Sequence, residues 1–106
     1  MTSDGTMPSR EIAVIEFPYS DLINSKKRPV LILGEKGDDC IICAITSNPD
    51  VKGVKIEFEK EKLPFESTIK YWQIQTILKT RIKNKIAKIT KKCHKEVVDK
   101  INELFK

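Results

Sequence analysis

Lys26-Lys27-Arg28-Pro29-Val30-Leu31-Ile32-Leu33, read together with Cys43-Ala44-Ile45-Thr46-Ser47, carries the decisive signal of this chain. The first stretch joins a basic cluster to a continuous apolar run that Gly34 stops, so residues 29–33 read as a buried strand. The second closes another apolar run with two hydroxyl side chains, and residues 40–46 read as the next strand. A tight charged turn over 35–39, with Gly37, connects them. Arg28 stands apart because only three of the 20 basic residues are arginines: Arg10, Arg28 and Arg81. A guanidinium presents a planar fork that holds a phosphate through two hydrogen bonds, which an ammonium cannot copy. The competing reading makes Arg28 the end of a solvated basic loop.

Working outward, residues 11–17 (Glu-Ile-Ala-Val-Ile-Glu-Phe) form a short β-branched strand bounded by Pro18. Residues 18–27 read as a polar loop containing Tyr19, Asp21 and Asn24. Asn48-Pro49-Asp50 and Gly53 mark a loop after Thr46. Val54, Ile56 and Phe58 alternate with Lys55 and Glu57, the pattern of a half-exposed strand over 54–58. Residues 59–66 are charged, hold Pro64 and read as loop; residues 67–78 read as a long strand bulged near Trp72. Lys79, Arg81, Lys83 and Lys85 sit two apart. They either share one face of a strand or bracket a turn near 79–82 before a short strand over 85–89. Thr90 can cap a helix on which Val97, Val98, Ile101, Leu104 and Phe105 recur at helical spacing. The sum is a mostly β protein with some α: a small, strongly bent β-barrel with a C-terminal helix.

A chain of 106 residues, 40% hydrophobic and 33% charged, fits one globular domain. We expect a loose tail over 1–10 and a single domain over 11–106. No apolar run approaches the ~20 residues of a membrane span, and the polar first ten residues do not resemble a signal peptide. The expected location is therefore cytoplasmic, with no membrane partner. The net charge is +5, unevenly placed: residues 1–53 carry six basic and eight acidic side chains, residues 54–106 fourteen and seven. Between Ser67 and Lys95 nine basic residues occur without one acid. That favours a polyanionic partner, nucleic acid or an acidic protein segment, over mere solubility.

Cys40 and Cys43 have the C-x2-C spacing of a zinc site, but on a strand residues three apart face opposite ways, and no second pair exists. Buried free thiols are expected, with no metal and no cofactor. His94 is the only histidine, so a paired-histidine mechanism is excluded.

The chain resembles the MazF/PemK-like toxins of type II toxin–antitoxin systems over roughly residues 11–105. The matching pieces, in order, are Phe17-Pro18-Tyr19-Ser20-Asp21-Leu22, Lys27-Arg28-Pro29-Val30-Leu31-Ile32-Leu33 and Cys43-Ala44-Ile45-Thr46-Ser47. Gln73-Ile74-Gln75-Thr76-Ile77 and Lys85-Ile86-Ala87-Lys88-Ile89 follow. The resemblance implies an SH3-like barrel of the MazF/CcdB type with a C-terminal helix, a homodimer, and sequence-specific cleavage of single-stranded RNA. It also implies a cognate antitoxin that covers the RNA groove. By position it makes Arg28 and Thr46 the catalytic pair. The chain departs from the pattern at Leu78, where many members have Asp, and at Arg10-Glu11, which replaces a Gly-Asp or Gly-Glu opening.

The residues support the same chemistry. RNA supplies its own nucleophile, the 2′-hydroxyl, so an enzyme need only align the attack, share protons and stabilise a more negative phosphorane. Arg28 would clamp the scissile phosphate and could relay a proton; Thr46 would donate to a non-bridging oxygen. The expected products are a 2′,3′-cyclic phosphate and a 5′-hydroxyl, formed without metal. Candidates for holding flanking RNA are Ser25, Lys26, Lys27, Ser47 and Gln73, with Tyr19, Phe17 and Trp72 as possible stacking surfaces. For Phe17 and Trp72, core or dimer packing is the favoured reading. Two other classes compete: a non-catalytic RNA-binding barrel, and a CcdB-like toxin that poisons DNA gyrase through an apolar C-terminal tail. Here the chain ends Leu104-Phe105-Lys106.

Overall fold

The apolar runs on either side of Gly37 fold as a long antiparallel hairpin, and everything else is built around it. The computed structural model describes residues 10–18 and 25–106, apart from the side chains of 17, 18, 25 and 26. Along the chain come β1 (Glu11–Pro18), β2 (Ser25–Lys36), β3 (Asp39–Thr46), β4 (Val54–Lys55), β5 (Phe58–Lys60) and β6 (Thr68–Leu78). A single 3-10 turn (Lys79–Arg81), β7 (Ile82–Ile89) and α1 (Lys91–Glu103) complete it. Lys36 pairs with Asp39 across a two-residue turn in which Gly37 takes φ +59°, a conformation open to glycine at no steric cost.

The described strands form one antiparallel sheet in the order β4-β6-β3-β2-β1-β7-β5. Its two edge strands, β4 and β5, are separated in the chain only by Ile56 and Glu57. A two-residue link cannot cross a flat seven-stranded sheet, so the sheet must curl until its edges nearly meet. This is the bent barrel that the sequence predicts. Register shifts concentrate the bending. One of them, between Cys43 and Ala44, leaves Tyr71, Trp72 and Gln73 as extra residues in β6, the bulge expected near Trp72.

Alternation along the strands fills two apolar layers. Ile12, Leu31, Cys43, Ile45, Val54, Ile69 and Ile89 pack with Cys93 and Val97 of α1. Ala13, Ile15, Val30, Ile32, Cys40 and Ile42 form the second layer on the other face. Cys40 and Cys43 thus belong to different layers, as strand periodicity requires. The helix starts where the sequence places its cap: the Thr90 hydroxyl accepts from the Cys93 N–H at 3.1 Å. The same hydroxyl donates to Glu57 at 2.8 Å, and the Thr90 N–H donates to the Glu57 carbonyl at 2.9 Å. The helix start therefore clamps the link between the two sheet edges. No helix among the described residues is long and apolar enough to cross a membrane.

Two expectations about the strands need correction. The strand expected over 54–58 is split between β4 and β5, on opposite edges of the sheet. Val54, Ile56 and Phe58 nonetheless all reach the same core, so the periodicity reported burial correctly while the segment crosses the barrel seam. The loop expected over 18–27 gives up Ser25 to Lys27, which extend β2 by pairing with β1. Of the two arrangements open for Lys79 to Lys85, the turn is the one found: a 3-10 turn over Lys79–Arg81 precedes β7, Lys79 reaches Glu35 and Lys85 reaches Glu11.

Arg10, expected at the end of a loose tail, is only 8% exposed and tightly held. Its guanidinium donates to Glu59 at 2.6 Å and to the Ile89 carbonyl at 3.1 Å. Its backbone sits at φ +53°, the left-handed region that glycine adopts freely. That gives the departure from a glycine opening a physical meaning: Arg10 accepts backbone strain and supplies an ion pair that glycine cannot.

The pair makes an acid-sensitive latch. The hydrogen bond from Arg10 holds the Glu59 carboxyl below the usual glutamate range. Its stabilisation is complete above the unfolded pKa, about 4.3, and is lost as pH falls through the lowered folded value. We expect the melting-temperature difference between wild type and Glu59→Gln to be largest near neutrality and to shrink toward pH 3. A difference independent of pH would dismiss the latch.

Candidate active site

Arg28 and Thr46 lie toward the same end of the central hairpin. β2 and β3 pair through Val30 and Ala44. The ladder ends at that pair; two residues further along each strand, Arg28 and Thr46 keep the face of Val30 and Ala44 by strand alternation. From Thr46 the row continues across the sheet: Thr46 opposes Thr68 on β6, and Thr68 opposes Lys55 on β4. One row inward, Ala44 opposes Lys70. The face that carries Val30 and Ile42 in its buried part thus ends in Arg28, Thr46, Thr68, Lys70 and Lys55. Sequence reasoning missed Lys55, Thr68 and Lys70. Only the cross-strand register, with its bulge, brings them beside Thr46.

The three arginines divide by role. Arg10 is the latch described above, and Arg81 donates from Nη2 to the Glu16 carbonyl at 2.8 Å. Both tie strands together. Arg28 opposes Ile15 of β1, and its side chain is exposed. Thr46 is half-buried, and its Oγ1 accepts the Asn48 N–H at 3.1 Å. A hydroxyl that accepts one bond keeps its proton to donate, and here that bond also fixes where the oxygen sits. The turn beyond is held by Asp50 N–H to Asn48 Oδ1 at 2.9 Å and Val51 N–H to the Asn48 carbonyl at 3.2 Å.

The other candidates are scattered. Ser47 is exposed at the start of this turn. Gln73 is exposed in the β6 bulge, close to Ala44 rather than to Thr46. Lys27 is exposed but, one residue from Arg28, stands on the opposite face of β2. Tyr19 lies outside the described residues, as do the side chains of Phe17, Ser25 and Lys26. Trp72 packs edge-on to Tyr71, with ring centroids 5.0 Å apart, and remains 41% exposed.

His94 belongs to α1, where burial and the Arg10 charge hold it below its ordinary pKa. Cys40, Cys43 and Cys93 are buried free thiols; burial raises all three, Cys43 to about 12, which keeps them protonated and unreactive. Among the described residues no three His, Cys, Asp or Glu side chains gather as a metal site.

Beside Thr46 an open groove of about 750 Å³ runs between the 47–53 turn, β4 and the 61–67 segment. Ser47, Lys55, Lys62, Phe65 and Thr68 are among its lining residues. Gly53 forms part of its wall. A Cβ there would stand 2.1 Å from the Ile69 carbonyl oxygen, so only glycine lets the turn lie against β6.

Residues 9–105 match the model of a family described as PemK-like, MazF-like toxin of type II toxin–antitoxin system. The crystal structure of MazE-MazF (Form-II) from Deinococcus radiodurans superposes with a TM-score of 0.75 at 14% identity, covering 93% of this chain and 95% of that one. The Mycobacterium tuberculosis toxin MazF-mt6 superposes with a TM-score of 0.71 at 19% identity, covering 91% and 96%. At such identities the two structures establish a shared fold. No curated protein matches the sequence.

Proposed function

The chain belongs to the PemK-like, MazF-like toxins of type II toxin–antitoxin systems, and from that premise we propose that it is an endoribonuclease acting on single-stranded RNA in the cytoplasm. The observation that carries the proposal is the register of the central hairpin. Strand alternation from the pair Val30–Ala44 gives an exposed guanidinium and an oriented hydroxyl the same face of the sheet, which supports this reading.

A phosphodiester lying across the ends of β2 and β3 meets the Arg28 fork and the Thr46 hydroxyl together. The RNA 2′-oxygen attacks the adjacent phosphorus and the bond from phosphorus to the 5′-oxygen breaks. A 2′,3′-cyclic phosphate and a 5′-hydroxyl result. The proton lost by the 2′-hydroxyl and the one gained by the 5′-oxygen balance through solvent. Arg28 offsets the extra negative charge of the phosphorane and Thr46 donates to a non-bridging oxygen. Both interactions strengthen as that charge develops. Lys70, directly opposite Ala44, adds a second cation to the same face.

Two partners follow from this reading. An acidic antitoxin segment would neutralise the basic face and block it. A second copy of the chain would cover the exposed apolar strip formed by Trp72, Ile74 and Leu78 of β6 with Ile41 of β3. That strip is the part of the helix-bearing face that α1 does not reach. A monomer mass by light scattering at micromolar concentration would remove the dimer.

The deciding experiment incubates the purified protein with a long unstructured RNA in EDTA and maps the ends. We expect discrete cuts bearing cyclic phosphate and 5′-hydroxyl termini. Intact RNA that is nonetheless bound would leave a binding barrel instead.

A further inference from the structure

We propose that the groove beside β4 is the track for the nucleotides flanking the scissile phosphate, with Phe65 as a stacking platform and Lys55 and Lys62 as phosphate anchors. This rests on the ribonuclease reading for its ligand, and it assigns residues that lie outside the catalytic pair.

The first argument is continuity. Thr46, Thr68 and Lys55 form a row across three neighbouring strands, β3, β6 and β4, on the face that Arg28 shares from β2. At a spacing of about 4.8 Å per strand, Lys55 lies roughly 10 Å from Thr46, and Thr68 and Lys55, the last two of the row, line the groove. A strand of RNA gripped at Thr46 and leaving along this row has to enter the groove.

The second argument is chemical fit. Phe65 is 68% exposed although it is among the most apolar side chains of the chain. The ring sits at a bend, next to which the Ser67 hydroxyl donates to the Phe65 carbonyl at 3.1 Å. An exposed ring flanked by lysines is the combination that binds unpaired bases, because every base has a face to stack and every linkage a charge to neutralise. Lys52, Lys55 and Lys62 line the groove against a single acid, Glu66. That balance favours a polyanion over an acidic peptide with apolar anchors. The hydroxyls of Ser47, Ser67 and Thr68 at the Thr46 end suit sugar and phosphate oxygens.

The test uses the intact protein and a pool of single-stranded 2′-O-methyl 12-mers, which present phosphates and bases but no free nucleophile and so bind without being cut. Phe65→Ala should weaken binding about tenfold or more and leave the salt dependence unchanged, while Phe65→Trp should bind as well as wild type. Lys55→Ala and Lys62→Ala should each reduce the slope of log K against log salt by about 0.7. Circular dichroism melts confirm that the variants fold.

Equal affinity and equal slope for wild type and all three alanine variants would overturn the track. So would no binding by wild type, or groove variants that bind the pool normally but lose an acidic peptide. The two readings fail separately. Natural RNA bound through these residues but never cut removes the nuclease and keeps the track. Natural RNA cut by every groove variant at the wild-type KM removes the track and keeps the nuclease.

Discussion

Replacing Arg28 with alanine should lower the cleavage rate about a thousandfold or more. Removing one preorganised donor to a developing oxyanion commonly costs a factor of 10² to 10³ in kcat, about 3–4 kcal/mol. Arg28 would supply two donors and a full charge. Its side chain is exposed, so little packing is lost with it. Arg28→Lys is the informative companion. If Arg28 were only a solvated loop charge, lysine would replace it without effect, in a chain that uses lysine for most of its cations. If the fork matters, the lysine variant keeps affinity for RNA but recovers only a small part of the rate. Single-turnover cleavage at saturating RNA, with KM measured separately, reads the difference. Wild-type kcat from either variant would end the assignment of Arg28 as the phosphate clamp.

Local patterns gave the elements, and they failed where a residue's role depends on a distant strand. The runs at 29–33 and 40–46 were legible because both faces of those strands are buried, which leaves apolar residues at nearly every position. The bulge at Trp72 and the Thr90 cap were legible because each is a short-range device. Residues 54–58 misled because alternation reports which side chains go inside, not whether consecutive residues remain in one strand; the seam of a closed sheet looks the same. Arg10 misled because its partners, Glu59 and Ile89, lie 49 and 79 residues away. Arg28 and Thr46, the pair proposed here, come from residue types and the family resemblance. Lys55, Thr68 and Lys70 were not legible, since only the register across β3, β6 and β4 sets them beside Thr46.

At Thr46 the expected result is a separation between valine and serine. Thr46→Val keeps the shape and removes the hydroxyl; we expect kcat to fall about a hundredfold with little change in KM. The hydroxyl has two bonds to account for, because its oxygen also accepts the Asn48 N–H. That amide is exposed and can turn to water, so the valine variant should lose less than about 1 kcal/mol of stability. Thr46→Ser retains both the donor and the acceptor and should stay within about tenfold of wild type. A serine variant as slow as valine would show that the hydroxyl alone does not account for the role of Thr46. The double variant adds a further constraint. If Arg28 and Thr46 act on one phosphate in one transition state, Arg28→Ala with Thr46→Val should be only slightly slower than Arg28→Ala alone, because the second donor has little left to stabilise once the first is gone. Losses that simply multiplied would mean that the two side chains serve different steps, and the shared phosphodiester would have to be abandoned.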